Sequence, residues 1–256
     1  MVLMQASFES SALSQSTTIN VLLPNKKEAT PPYQLLLLMS GGFTDHTYFL
    51  RHMPVEHFVD KYNLAVVMPY MAGRYLYKNM PYGEQWWDFY SEELPEKCRK
   101  ILPVSKNRID TFATGASGGA LCALKLGLQM PETFGAVGSI YPPLFSQPFL
   151  DEMKKIGNLW RYEQLAYHYG DPIEPEYDIF NILKRASEKE LKTKLFLGCG
   201  TEDGLYNINI AFKDKATELG FNPIWNGCRG GHDMEVFTTM FVKFLEWLPL
   251  QKLEEM

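Results

Sequence analysis

Apolar positions along the chain fall into short unbroken runs, several closed by Gly or Pro, with stretches of helical spacing between them. Residues 33–39 are almost wholly apolar and stop at Ser40-Gly41-Gly42. Residues 64–68 stop at Pro69, and residues 109–114 lead into Gly115. Runs of this length without alternation suit strands covered on both faces. Residues 134–140, 194–198 and 221–225 read as three further strands, and the weakly alternating 17–23 as an earlier one ending at Pro24. Three segments carry helical spacing. In 118–130, Leu121, Leu124 and Leu128 share a face and Pro131 ends the pattern; 206–219 stops at Gly220; 234–248 sets Val236, Met240, Phe244 and Trp247 on one stripe. Apolar strands alternating with helices predict an α/β fold, a mostly parallel central sheet with helices on both faces.

Residues 141–193 interrupt that alternation with prolines and many aromatics, among them Trp160, Tyr162, Tyr167, Tyr169, Tyr177 and Phe180. A cap-like insertion over the sheet edge or the active site is one reading, helical around 179–186. Ordinary crossover helices packed on the sheet fit equally well. No Gly/Ser- or Pro-rich linker divides the 256 residues, so a single domain over 1–256 is expected.

Composition narrows the function classes. The net charge is −5, with acids and bases mixed and no basic run, so a nucleic-acid partner is not expected. Four widely spaced cysteines form no C-x-x-C pair, which gives a metal site little support. The first residues have neither a basic region nor a long apolar stretch, and no run of roughly 18 apolar residues exists. Neither a secretory signal nor a membrane span is expected, and a cytoplasmic protein with reduced thiols is the plain expectation.

The chemistry centres on Gly115-Ala116-Ser117-Gly118-Gly119, a G-x-S-x-G pattern between an expected strand and an expected helix. A serine hydroxyl is a poor nucleophile until a base removes its proton. The pattern sets the serine on a tight turn at a helix N-terminus, where the Gly118 N–H can donate to a developing oxyanion. The bland alternative is a glycine-rich turn in which Ser117 only caps the helix. Acid and base should follow in that order. Of the two histidines after Ser117, His168 lies in the aromatic insertion and suits packing. His232, in Gly230-Gly231-His232-Asp233, lies just past the last expected strand, at the sheet edge where α/β proteins place their sites. Asp203 follows the strand ending near Gly198 and is the favoured acid, with its neighbour Glu202 as the alternative. Asp233 reads as a helix cap. The loop Ser40-Gly41-Gly42-Phe43 stands where a second oxyanion donor is needed. Tyr75, Tyr77, Trp86 and Trp87 could line an aryl or sugar pocket, with core packing the commoner role for such side chains.

These residues together resemble the esterase D-type family of α/β-hydrolases, a group that includes bacterial tributyrin esterases, S-formylglutathione hydrolases and feruloyl esterases. The resemblance covers most of the chain. It rests on residues 35–43, Asp45-His46-Thr47, Val66-Val67-Met68-Pro69, Ser91-Glu92-Glu93-Leu94-Pro95, the Ser117 turn, Gly200-Thr201-Glu202-Asp203-Gly204-Leu205-Tyr206 and Gly230-Gly231-His232-Asp233. It implies an α/β-hydrolase fold, a Ser117–His232–Asp203 triad, and an oxyanion hole made by the N–H groups of Gly42 and Gly118. No cofactor is implied, and relatives of this kind often form homo-oligomers. Two positions depart from the family pattern. Ser40-Gly41 replaces the usual His-Gly, and Gly118 replaces the usual Met after the serine, a change expected to widen or loosen the site.

The expected activity is hydrolysis of short-chain or small aryl acyl esters through an acyl-enzyme. A thioesterase or acyltransferase using the same triad is the nearest rival, and a non-catalytic binding protein of the same fold is the rival from another class. Ser40, Gly41, Trp86 and Trp87 are the expected pocket residues.

Overall fold

The computed structural model describes residues 1–42, 44–71 and 77–253. Eight strands form one sheet: β1 (Val2–Ser10), β2 (Gln15–Leu23), β3 (Gln34–Met39), β4 (Leu64–Pro69), β5 (Thr111–Ala116), β6 (Ala136–Ile140), β7 (Lys194–Gly200) and β8 (Ile224–Cys228). Their order is β1-β2-β4-β3-β5-β6-β7-β8. β1 and β2 run antiparallel and β2 meets β4 antiparallel; every pairing from β4 to β8 is parallel. β3, β4 and β5 are buried at every position, as runs without alternation require.

β1 was not foreseen as a separate strand. It is an edge strand with Val2, Leu3 and Met4 exposed; Ala6, Phe8 and Ser10 turn inward, and with two of those three small residues the apolar alternation is faint. The last strand runs over Ile224–Cys228 rather than 221–225, because Phe221 and Pro223 belong to the approach from the preceding helix.

Helices cover both faces. Short α1 (Tyr48–His52) and α2 (Val55–Val59) connect β3 to β4. α3 (Trp86–Asp88) passes through a π-helical turn, Phe89–Glu93, into α4 (Leu94–Ile101). Pro95 there has no N–H to donate back to the preceding turn, a standard cause of such irregularity. The Glu93 carboxylate accepts from the Ser10 hydroxyl and from the Ser11 and Ala12 amides, which pins the β1–β2 hairpin to this helix. α5 (Gly118–Gln129) is buried over Gly118–Leu128, in keeping with its place at the centre of the sheet. α9 (Tyr206–Glu218) follows β7, and α10 (Met234–Trp247) follows β8.

The segment 141–193 contains α6 (Gln147–Lys155), α7 (Leu159–Tyr169) and α8 (Ile179–Ser187). α8 is an ordinary crossover helix: Ile179, Ile182, Leu183 and Ala186 join the core cluster that also holds the buried side of α5. α6 and α7 leave exposed faces bearing Ile156, Leu159, Trp160 and Tyr167.

Candidate functional site

From β3 the chain steps to β4 on one side and then to β5 on the other. That reversal opens a crevice at the carboxyl ends of β3 and β5, the usual binding position in open α/β sheets. The loop after β3 and the turn after β5 meet there. A Cβ on Gly115 would overlap the Met39 carbonyl oxygen and the backbone of Gly119; one on Gly119 would overlap the carbonyls of Met39 and Ser40. The two outer glycines of the pattern are therefore required by close backbone packing.

Between them Ser117 has φ 52° and ψ −119°. A non-glycine residue held in such a region costs on the order of 1–3 kcal/mol and persists only where its surroundings impose it. Here the Ser117 amide donates to the Ile140 carbonyl (3.1 Å) and its own carbonyl accepts from Leu121 (3.1 Å). Its hydroxyl makes no capping bond to α5, so the helix-cap alternative loses its basis.

His232 and Asp203 arrive from the ends of β8 and β7. The Asp203 side chain is 3% exposed, and its Oδ2 lies 2.8 Å from His232 Nδ1. Its Oδ1 accepts from the Leu205 amide (2.9 Å). Glu202 turns outward instead, its carboxylate accepting from Arg229 Nε (3.1 Å). Of the two acids weighed from sequence, the structure brings Asp203 to the imidazole. The His232 side chain remains 40% exposed. Asp233 caps α10 by accepting from the Val236 amide (2.9 Å).

Two further residues complete this corner, and sequence reasoning singled out neither. Tyr141, with φ 42°, packs its ring against His232 at a centroid distance of 4.3 Å and a tilt of 48°, and donates its hydroxyl to the Asp233 carbonyl (3.1 Å). Cys199 sits beneath Asp203. Burial, followed by the Asp203 charge and a hydrogen bond to that carboxylate, pushes its thiol far above the ordinary range. The thiol thus stays protonated beside the carboxylate. Only their positions, one past β6 and next to last in β7, could have hinted at either.

Two cavities meet at Ser117, His232 and Gly42. The larger, about 450 Å³, is bounded also by Gly118, Asp203, Gly204 and Leu205, and by Pro143, Met153, Ile156, Asn158 and Arg161 from the segment after β6. The smaller, about 200 Å³, is bounded by Gly41, Thr44, Tyr48, Ala116, Tyr141, Asp233 and Met234. α6, α7 and the turn between them therefore wall one side.

Several expected pocket residues lie elsewhere. Ser40 is buried, accepts a hydrogen bond from Thr44 Oγ1 (2.7 Å) and lines neither cavity; it braces the loop where a histidine was the familiar residue. Trp86 is buried among Tyr70, Phe89 and Tyr90. Trp87 lines separate cavities beside α5, against Lys125. Trp86 is part of the core and Trp87 packs at its margin, and neither lines a cavity at Ser117. Gly41 does line the smaller cavity. Tyr77 is fully buried, its hydroxyl at the point where a Gly118 side chain would begin. Gly118 therefore does not widen the site. His168 is in α7, its ring beside Tyr167 and Tyr169. Phe43 and Tyr75 lie outside the described residues.

Residues 10–220 match the family model described as "Putative esterase". The chain belongs to this family. It is an ester hydrolase with the α/β-hydrolase fold and a serine at the strand-to-helix turn. An acetyl esterase of Caldicellulosiruptor saccharolyticus is 26% identical over 265 residues, spanning 97% of this chain and 98% of that protein. Among solved structures, the S-formylglutathione hydrolase of Staphylococcus aureus superimposes with a TM-score of 0.84 at 23% identity, over 96% of this chain and 98% of the other. A ferulic acid esterase gives a TM-score of 0.76 at 20% identity, over 96% of both chains.

Proposed function

We propose that this protein is a serine carboxylesterase acting on short-chain or small aryl acyl esters through an acyl-enzyme. The observation that carries the reading is a buried Asp203 carboxylate bonded to His232 Nδ1 beside a cavity that also exposes Ser117 on a strained turn. With Nδ1 donating to Asp203, the imidazole keeps Nε2 as the basic nitrogen. Ser117 Oγ attacks the ester carbonyl as His232 takes its proton. The negative charge that develops on the carbonyl oxygen is met by the amides of Gly118, at the N-terminus of α5, and of Gly42. His232 then protonates the leaving alcohol, and water repeats the sequence to release the acid. Asp203 stays ionised throughout, holding the ring and balancing its charged form.

Two cavities that meet at Ser117 and His232 suit an acyl group in one and an alcohol in the other. Met153, Ile156, Leu205 and Pro143 give the larger one an apolar wall, which favours acetyl-to-butyryl or small aryl groups. The acetyl esterase relative agrees with the short-chain end of that range. A thioesterase reading is kept because of the S-formylglutathione hydrolase neighbour; the same groups would cleave a thioester.

No helix among the described residues is long and apolar enough to cross a membrane. Cys98, Cys122, Cys199 and Cys228 are free thiols, which supports a reducing compartment, and on that ground we assign the protein to the cytoplasm. The test is a p-nitrophenyl ester series from acetate to octanoate, beside a thioester, with wild type and Ser117→Ala. Turnover that is highest at two to four carbons and abolished in Ser117→Ala supports the reading. Wild-type rates in the variant, or a fluorophosphonate that fails to label Ser117, overturn it.

A further inference from the structure

Gly118 lacks the side chain that the resemblance leads one to expect after the serine, yet the space is occupied. A Cβ placed on Gly118 would collide with the hydroxyl of Tyr77; it would lie 3.1 Å from the Tyr77 ring carbon Cζ and 3.2 Å from the Gly42 amide nitrogen. Tyr77 therefore wedges its hydroxyl between the two backbone segments whose amides form the proposed oxyanion hole. It is fully buried and lines neither cavity at Ser117, so it does not touch substrate.

Its own backbone is fastened from two sides. The Tyr77 carbonyl accepts from Lys125 Nζ, and the Tyr169 phenol hydrogen-bonds its backbone. Lys125 stands seven residues after Gly118, two turns along the same face of α5. One helix thus carries both the amide at its N-terminus and the ammonium that holds the wedge against it. Lys125 is itself buried and seated 4.6 Å from the Trp87 ring centroid. A buried cation committed to one carbonyl is an expensive way to tether a loop. Its geometry is explained if the tethered residue must not move.

We propose that Tyr77, anchored by Lys125, is a positioning residue of the oxyanion hole: its hydroxyl takes the volume of the absent side chain at 118 and fixes the spacing of the Gly118 and Gly42 amides. This rests on the Ser117 reading above. An oxyanion donor acts on the transition state rather than on bound ester, so disturbing the wedge should lower kcat and leave KM nearly unchanged.

The test is a double-mutant cycle of Tyr77→Phe and Gly118→Ala, followed by p-nitrophenyl acetate turnover and by affinity for a trifluoromethyl ketone, which binds as an oxyanion. Thermal melts check that each variant folds. Full loss of one donor lowers turnover about a hundred- to a thousandfold. Tyr77→Phe, which only loosens the amides, should cost about tenfold in kcat and in ketone affinity, with KM within about twofold. Gly118→Ala, which forces the hydroxyl aside, should cost about a hundredfold. The double variant should recover much of that loss, because without the hydroxyl the methyl group meets the ring only at Cζ, 3.1 Å away, a contact that a small shift of the side chain relieves. Equal cost of Gly118→Ala in both backgrounds, or unchanged kcat and ketone affinity in Tyr77→Phe, overturns the proposal. Ser117→Ala runs beside them. Failure of that control refutes the nucleophile assignment itself, whereas an intact control with a flat cycle refutes only the wedge.

Discussion

Lys125 makes the most quantitative demand on the fold. Burial lowers its pKa from 10.5 to about 8, while neighbouring Cys122 raises it, Lys78 lowers it and Glu176 raises it. The native state thus binds this proton more weakly than the unfolded chain. Below about pH 8 both states are protonated, and the native state carries the cost of the buried charge. Between about pH 8 and 10.5 only the unfolded chain holds the proton, so stability from this group rises with pH across that window. The full interval is worth about 3 kcal/mol, and the part between pH 7 and 9 about 1 kcal/mol.

Lys125→Met removes the titration but keeps an unbranched apolar chain against Trp87. Its absolute effect mixes two opposed terms: relief of the buried charge, and a Tyr77 carbonyl that loses its donor at a cost of about 1–3 kcal/mol. The pH dependence isolates the first. Cys98 and Cys122 act in the other direction, since burial pushes both thiols up to about 12 and stability falls from pH 9 upward. They remain in both proteins, so the difference between them is the quantity to read. Urea unfolding followed by tryptophan fluorescence at pH 7, 8 and 9 should show wild type gaining about 1 kcal/mol on the variant over that range. A difference that stays flat, or moves the other way, refutes the claim that Lys125 is held charged at a cost.

Asp203→Asn should leave the melting temperature within a few degrees and lower kcat by about four orders of magnitude in the p-nitrophenyl acetate assay, because an amide can favour the wrong imidazole tautomer. Gly119→Ala should yield little soluble protein, or protein destabilised by several kcal/mol on urea titration, because its methyl group meets the carbonyls of Met39 and Ser40, which cannot yield like a flexible side chain. Glu93→Ala should cost about 2–3 kcal/mol by the same titration, since it strips three donors at the β1–β2 hairpin of their acceptor, with kcat unchanged. Arg161→Gln should raise KM for esters carrying a carboxylate more than for matched neutral esters, because Arg161 lines the larger cavity; equal effects on both would remove Arg161 from substrate selection.

The parts of this site that sequence exposes are those in which one residue type meets a local backbone demand. Gly115 and Gly119 announce a turn because nothing larger fits beneath β3, and the serine between them follows from the pattern. His232 and Asp203 are legible because a parallel sheet gathers its strand ends at one edge, so a position just past a strand is already a place in space. The choice between Asp203 and Glu202 was harder. Both follow the same strand, and a single step along the turn sends one side chain into the protein and the other out to Arg229. β1 is illegible for the opposite reason: its inward face rests on Ala6, Phe8 and Ser10, while the apolar Val2, Leu3 and Met4 are exposed, so apolar character and burial do not coincide.

Illegible in sequence were the contacts between segments far apart along the chain. Trp86 and Trp87 look alike as neighbours in sequence, yet one is sealed among Tyr70, Phe89 and Tyr90 while the other lies across Lys125. The replacement at 118 is the sharper instance. Taken alone, a glycine after the nucleophile reads as lost packing and a looser site. Placed in the fold, it is half of an exchange whose other half stands forty-one residues earlier, at Tyr77, and whose fastening stands seven residues later, at Lys125. A missing side chain at one position and a buried aromatic at another conserve the volume beside the proposed oxyanion hole. Neither residue alone reveals that, because volume is a property of the assembled site.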